Sequence, residues 1–179
     1  MNTTQPIRHL DTIYRIQDYL QTNASPRDAF LFTFLINTGM RIGDALPLRV
    51  RDVKPDEVII TEQKTNKVNT FYLEHIRPEI NNYIRFKEDD DYLFPSNKGG
   101  FLSRTTAFRI LDKAGDKFGI QLSSHTLRKS YGYHYFQREK NVTYLQKIFN
   151  HARPSITEKY ICIEKDEIRK TQVGFKVTK

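Results

Sequence analysis

Apolar residues recur along this chain at spacings that separate helices from strands. Leu10, Ile13, Ile16 and Leu20 repeat at helical spacing, which predicts an amphipathic helix over residues 7–21. Ser25, Pro26 and Asp28 then supply a cap, a first-turn proline and a first-turn acid. The helix they open (Phe30, Leu31, Phe32, Phe34, Leu35, Ile36) is apolar nearly all round and stops at Gly39, as a central buried helix would. A short helix is expected from Arg41 or Ile42 to just before Pro47. Alternating runs at 57–62 and 69–73 read as two strands, with Lys64 to Lys67 turning between them. Further helices are expected over 78–87, from a Ser103 cap through Phe118 to Gly119, from a Ser124 cap through about Arg138, over 142–149 behind Asn141, and from Pro154 to Tyr160. The tail from Glu164 reads as helical or loose. The sum is a mainly α fold with one small antiparallel β-sheet, an α+β class.

Composition narrows the possibilities. The 179 residues suit one domain with a real core. The longest apolar run, around Ala29 to Ile36, is too short to span a bilayer. The polar start, Met1 to His9, lacks a signal-peptide apolar region, and the expected compartment is the cytoplasm. A single cysteine, Cys162, excludes an internal disulfide and a multi-cysteine zinc site. The 29 Lys and Arg against 21 Asp and Glu leave a net charge of +8, which suits a polyanion such as DNA without proving one.

Specific chemistry enters in the second half. In Ser123-Ser124-His125-Thr126-Leu127-Arg128-Lys129-Ser130, His125 and Arg128 stand three residues apart on one helix face. They sit in the first turn, where free N–H groups and the helix dipole favour an anion. Downstream follow Asn150-His151, Thr157 and Tyr160; upstream, Arg41 comes directly after the Thr38-Gly39-Met40 helix end, with Asp44 three residues on.

The order Arg41, hairpin Lys64, His125-x-x-Arg128, His151, Tyr160 resembles the tyrosine recombinase (phage integrase) family. The matching stretches are Thr38–Leu46, Glu62–Leu73, His125–Gly132 and Ile148–Tyr160, with a step of 23 positions from Arg128 to His151 and of nine from His151 to Tyr160. The resemblance covers essentially the whole chain as that family's catalytic domain, and the joint order is far more specific than any single motif. It implies a site-specific recombinase that cleaves and rejoins double-stranded DNA through a 3′-phosphotyrosine link to Tyr160. Arg41 and Arg128 would hold the non-bridging oxygens, doing what a divalent ion does elsewhere. His125 would act as acid and base, His151 would orient and stabilise the phosphate, and Lys64 would protonate the departing 5′-oxygen. No metal or cofactor is expected, because the covalent ester keeps the bond energy and rejoining needs no nucleotide.

The resemblance also implies a tetramer assembled on two DNA sites, with a monomer in free solution. Residues 161–179 would form a C-terminal tail of the kind such recombinases often pass to a neighbouring protomer; Ile163, Ile168, Val173 and Phe175 could dock that way or equally pack at home. Arg41 lies too near the start for the family's usual N-terminal core-binding domain. Residues 1–179 therefore read as a single catalytic domain, either a short member or a piece of a longer protein. Asn150 replaces the glycine usual before the second histidine; asparagine also adopts left-handed backbone angles.

Each residue has a structural reading as well. Arg41 could satisfy helix-end carbonyls, His125 could merely open a helix, Arg128 could be solvated, and Tyr160 is one of ten tyrosines, most of which pack. Asp44 is expected to hold a helix or pair with a base such as Arg41. Lys67 shares the turn with Lys64 and remains an alternative to it. Tyr131, Tyr133, Tyr135 and Phe136 are expected to pack the core, Cys162 to be buried, and His75 and His134 to be bystanders. Two other functions remain open: a type IB topoisomerase with the same chemistry, and a non-catalytic DNA-binding regulator on the same fold.

Overall fold

The computed structural model describes residues 4–163, 169–170 and 172–174. Before its first helix the chain is extended, because α7 claims its backbone. Ile7 N–H donates to Ser130 Oγ at 2.8 Å, and Ile7 O meets His134 Nε2 at 2.9 Å. Helix α1 (Leu10–Asn23) therefore starts three residues later than the apolar spacing suggests, and buries Ile13, Ile16 and Leu20.

Helix α2 (Pro26–Thr38) is the centre of the domain. Ser25 Oγ accepts from Asp28 N–H, and Gly39 closes the helix at φ 62°. Phe30 stacks on Tyr83 with ring centroids 4.1 Å apart, and Phe34 meets Phe94 edge-on at 5.8 Å. The one-turn helix α3 (Ile42–Ala45) follows. Helix α4 (Val50–Val53), which periodicity does not suggest, is nucleated by Asp52 accepting from Arg49 N–H at 2.7 Å.

Strands β1 (Glu57–Thr61) and β2 (Val68–Tyr72) pair antiparallel, Ile59 facing Thr70. Their turn passes through Asn66 at φ 53°, one of the few side chains that tolerates the left-handed region. A 3₁₀ turn over Glu74–Ile76 leads into α5 (Arg77–Ile84). Helix α6 (Arg104–Asp116) ends two residues earlier than expected. Gly119, at φ 63°, carries the chain out of it while Ile120 N–H caps Gly115 O at 3.0 Å.

Helix α7 (Ser124–Glu139) is capped by Ser123, not Ser124: Ser123 is extended, and its hydroxyl accepts from Thr126 N–H at 3.2 Å. Helix α8 (Val142–Ile148) starts behind the Asn141 cap, and α9 (Pro154–Ile161) runs one residue past Tyr160. The mainly α fold with one two-stranded sheet is as the sequence predicts. No helix among the described residues is long and apolar enough to cross a membrane.

Two apolar clusters result. The larger gathers α1 to α6 and reaches Leu127. The smaller joins Leu145, Phe149, Ile161 and Ile163, with Tyr131, Tyr133, Tyr135 and Phe136 packed on it, so those aromatics do fill a core. The seam between the clusters runs along α7, which is where the candidate site lies.

Candidate active site

A cleft of about 720 Å³ opens over the start of α7, and Arg41, Lys64, His125, Arg128, His151 and Tyr160 all line it. Five separate chain segments deliver them. Lys67, the alternative lysine, is not among the lining residues.

Arg128 is 4% exposed, so every charge-bearing atom of it needs a partner. Its guanidinium donates to Gly39 O and, at 3.2 Å, to Phe149 O, and lies 4.1 Å from the Phe149 ring centroid. The first bond explains the Thr38-Gly39-Met40 sequence. Only a left-handed residue turns that carbonyl toward α7, and a Cβ on Gly39 would come within 2.4 Å of the Tyr131 ring. Burial pulls Arg128 down to about 10, with Arg41 adding to the effect, so it stays cationic at neutral pH.

Arg41 caps α3 with extended backbone and reaches the same carbonyl, Phe149 O, at 3.0 Å. Its other nitrogen pairs with Glu62, which is fully buried. Asp44 does not pair with Arg41; its carboxylate accepts from Gln63 N–H at 2.9 Å and so holds the hairpin turn against α3. Glu62 also accepts from Thr65 Oγ1 at 2.7 Å and from Asn69 Nδ2 at 3.0 Å. Burial would raise the Glu62 carboxyl, but these hydrogen bonds and the Arg41 charge outweigh it and hold the group below its ordinary value.

The two imidazoles bracket the phenol. His125 Nδ1 lies 3.4 Å from Tyr160 Oη, a long contact of the kind that tightens when substrate binds. His151 packs edge-on against the Tyr160 ring with centroids 5.3 Å apart, and its Nδ1 meets Thr157 Oγ1 at 2.9 Å. Its backbone is fixed by mutual bonds with Gln146, and Asn150 takes the preceding turn at φ 53°, as a glycine would. Burial, then Arg128 and Arg41, lower His151 to about 4; burial and the charges of Arg128, Lys129, Lys64 and Arg41 lower His125 as well. Both rings are therefore neutral at neutral pH. Burial raises the Tyr160 phenol above its ordinary value, against the pull of Arg128 and Arg41, so it rests protonated beside a ring able to take its proton.

Gln63 and Arg104, which line this cleft, and Glu62 and Asn69, which stand behind it, are not marked out by the family order. Gln63 Nε2 donates to Gly43 O at 2.9 Å, and Arg104 donates to Gln63 Oε1 at 2.8 Å. Asn69 also donates to Ile148 O at 3.0 Å, joining the hairpin to α8. One signal was present: strand alternation puts Glu62 on the same side as Val58 and Ile60, the inward side. His75 and His134 bond backbone carbonyls outside the cleft, and Cys162 is half-buried.

A cationic cleft with neutral imidazoles around a protonated phenol suits phosphoryl transfer to a tyrosine, with guanidiniums holding the phosphate. The chain belongs to the phage integrase family, whose model matches residues 9–167. It is 43% identical to the probable integrase/recombinase YoeC of Bacillus subtilis over 173 residues, 94% of this chain and 95% of that protein. It is 31% identical to the tyrosine recombinase XerA of Pyrococcus furiosus over 141 residues, 75% of this chain but only 49% of the relative. The chain thus spans nearly all of one relative and about half of the other. Among solved structures, a XerA recombinase superposes with a TM-score of 0.77 at 21% identity, over 99% of this chain and 66% of that one. The catalytic domain of bacteriophage HP1 integrase gives 0.68 at 20% identity, over 96% and 95%. Both share this fold.

Proposed function

We propose that this chain cleaves and rejoins double-stranded DNA at specific sites through a 3′-phosphotyrosine intermediate on Tyr160. The observation that carries the reading is the convergence of six side chains from five segments on one cleft, with a neutral imidazole 3.4 Å from the phenol oxygen. Arg41 and Arg128 hold the non-bridging oxygens of the scissile phosphate with fixed donors. Tyr160 Oη attacks phosphorus and its proton passes to His125. The bond from phosphorus to the 5′-oxygen breaks, and Lys64 gives that oxygen a proton. Nδ1 of His151 is engaged by Thr157, which leaves Nε2 for the phosphate. Rejoining runs these steps backwards: a 5′-hydroxyl attacks, and His125 returns its proton to the phenol.

Family relatives in solved structures support DNA as the substrate: XerH recombinase is seen with its difH site before and after cleavage, and the Tn1549 integrase with circular-intermediate DNA. Membership of the integrase family favours recombination over topoisomerase-like relaxation. We assign the work to a tetramer on two DNA sites, in the cytoplasm, with residues 161–179 passing between protomers. Of the proposed docking side chains, Ile163 packs in the smaller cluster and Val173 is exposed, while Ile168 and Phe175 lie outside the described residues.

A nicked suicide substrate, which loses the 5′ fragment after cleavage, tests the chemistry. Wild-type protein is expected to form an SDS-stable protein–DNA adduct whose linked peptide contains Tyr160, and Tyr160→Phe none. A folded wild type that binds DNA yet forms no adduct on any nicked site would leave a DNA-binding regulator as the reading.

A further inference from the structure

We infer that Glu62 is a positioning residue that sets Arg41 and the Lys64 turn together from one carboxylate. The inference rests on the roles proposed above for those two residues. Three elements meet on Glu62. It pairs with Arg41 at the start of α3, and it accepts from Thr65, inside the turn that carries Lys64. It also accepts from Asn69 on β2, whose amide holds Ile148 O at the end of α8, two residues before Asn150 and three before His151. Glu62 is 0% exposed, so no water competes for these contacts.

A purely neutralising role would need only the Arg41 contact. The carboxylate instead uses one oxygen for Arg41 and Thr65 and the other for Asn69. The guanidinium is fixed on two edges, by Glu62 and by Phe149 O at 3.0 Å, and its phosphate-facing donors are thereby aimed before substrate arrives. The same carboxylate ties down the backbone next to Lys64, so the group that receives the phosphate and the group that protonates the leaving oxygen share one anchor. Gln63 and Asp44 repeat the link from the other side of the turn, at 2.9 Å.

The test compares single-turnover cleavage of two suicide substrates, one ordinary and one with sulfur at the 5′ bridging position of the scissile phosphate. A thiolate leaves without a proton, so the sulfur substrate bypasses the acid. Glu62→Gln keeps the size of the side chain and removes its charge. It is expected to slow the ordinary substrate by about 10- to 100-fold, the effect of displacing groups by a fraction of an ångström. Sulfur is expected to relieve the part of that loss that runs through Lys64, and Glu62→Gln is expected to cost less than its full effect on top of Arg41→Ala or Lys64→Ala, because each removes one of the two routes. Equal slowing on both substrates, or full additivity with either partner, would overturn the inference. The catalytic reading has its own controls. Wild type must form the Tyr160 adduct, and the Lys64→Ala defect must be relieved by sulfur; failure there sinks that reading rather than the role of Glu62. If Glu62→Gln does not fold, Thr65→Val removes a single hydrogen bond to the carboxylate. The same pattern is then expected at about 3- to 10-fold.

Discussion

Replacing Gly132 by alanine isolates how tightly Tyr160, the proposed nucleophile, is held. Gly132 sits in mid-α7, buried, where α9 crosses one residue beyond Tyr160. A Cβ there would lie 2.6 Å from Ile161 Cγ2 and 2.9 Å from the Phe149 ring. Ordinary carbon contacts are about 3.5–4 Å, so α9 must retreat by about 1 Å. Overpacking of this kind costs about 1–3 kcal/mol, while alanine in place of a helical glycine returns about 1 kcal/mol. The net loss is about 0–2 kcal/mol, a fall in Tm of at most about 8 °C for a domain this size. The same 1 Å shift carries Tyr160 Oη away from His125 and is expected to slow cleavage about 100-fold. Phe149 O accepts from both Arg41 and Arg128, so a push on Phe149 disturbs the phosphate clamp as well. Calorimetry gives the stability change, and single-turnover adduct formation on nicked DNA gives the rate. A variant that cleaves at the wild-type rate with an unchanged or raised Tm would show that α7 and α9 can separate freely, and the argument from close packing would fail.

Three further outcomes follow from the same geometry. Arg128→Lys leaves a single ammonium to serve both Gly39 O and the proposed phosphate, while Phe149 O keeps only its bond from Arg41. A loss of about 1–3 kcal/mol in stability and about 100- to 1000-fold in cleavage is expected by denaturant titration and adduct assay. His151 has its folded pKa lowered to about 4, below its unfolded value, so the free protein binds fewer protons than the unfolded chain across that interval. Stability is expected to decline as pH falls from about 6.5 toward 4, and less steeply in His151→Gln. A bound phosphodiester offsets the charges of Arg41 and Arg128, so His151 in the complex titrates at higher pH and DNA binding near pH 5 takes up protons. Calorimetric titration in buffers of different ionisation enthalpy measures this uptake, and an unchanged uptake in His151→Gln would refute the assignment.

What the sequence made legible was mostly what local chemistry decides. The caps at Ser25, Ser103 and Asn141 and the glycine stop at Gly39 need only neighbours along the chain, and each is seen in place. Ser123 and Ser124 are adjacent and chemically alike; only the extended backbone of Ser123 decides between them, and that depends on where the preceding loop docks. A four-residue helix such as Val50–Val53 is too short to show a period. The six candidate residues, which a family pattern orders along the chain, line one cleft, but their supports were not readable. Proximity in sequence suggested Asp44 for Arg41. Arg41 is the extended cap residue of α3, while Asp44 lies within that helix and is taken by Gln63 N–H, so the guanidinium finds Glu62 across the hairpin instead.

The distribution of charge in the cleft also bears on which group does what. Arg41 and Arg128 converge on one carbonyl oxygen; burial and then the Arg41 charge lower Arg128 to about 10, and burial and then the charges of both arginines lower His151 to about 4. His151 still loses its proton at far lower pH than the Arg128 guanidinium does. The positive charge that faces the phosphate therefore stays on the groups with fixed, forked donors, and the imidazoles stay free to accept protons. On the proposed mechanism this separates the two proton transfers. His125, neutral at rest, takes the proton of Tyr160, and Lys64 is the proposed donor to the 5′-oxygen. When His125 takes the phenol proton, the new charge is offset by the charge developing on the phosphate oxygens. The imidazolium is then stabilised only while the substrate is present, and it is discharged when the strand is rejoined.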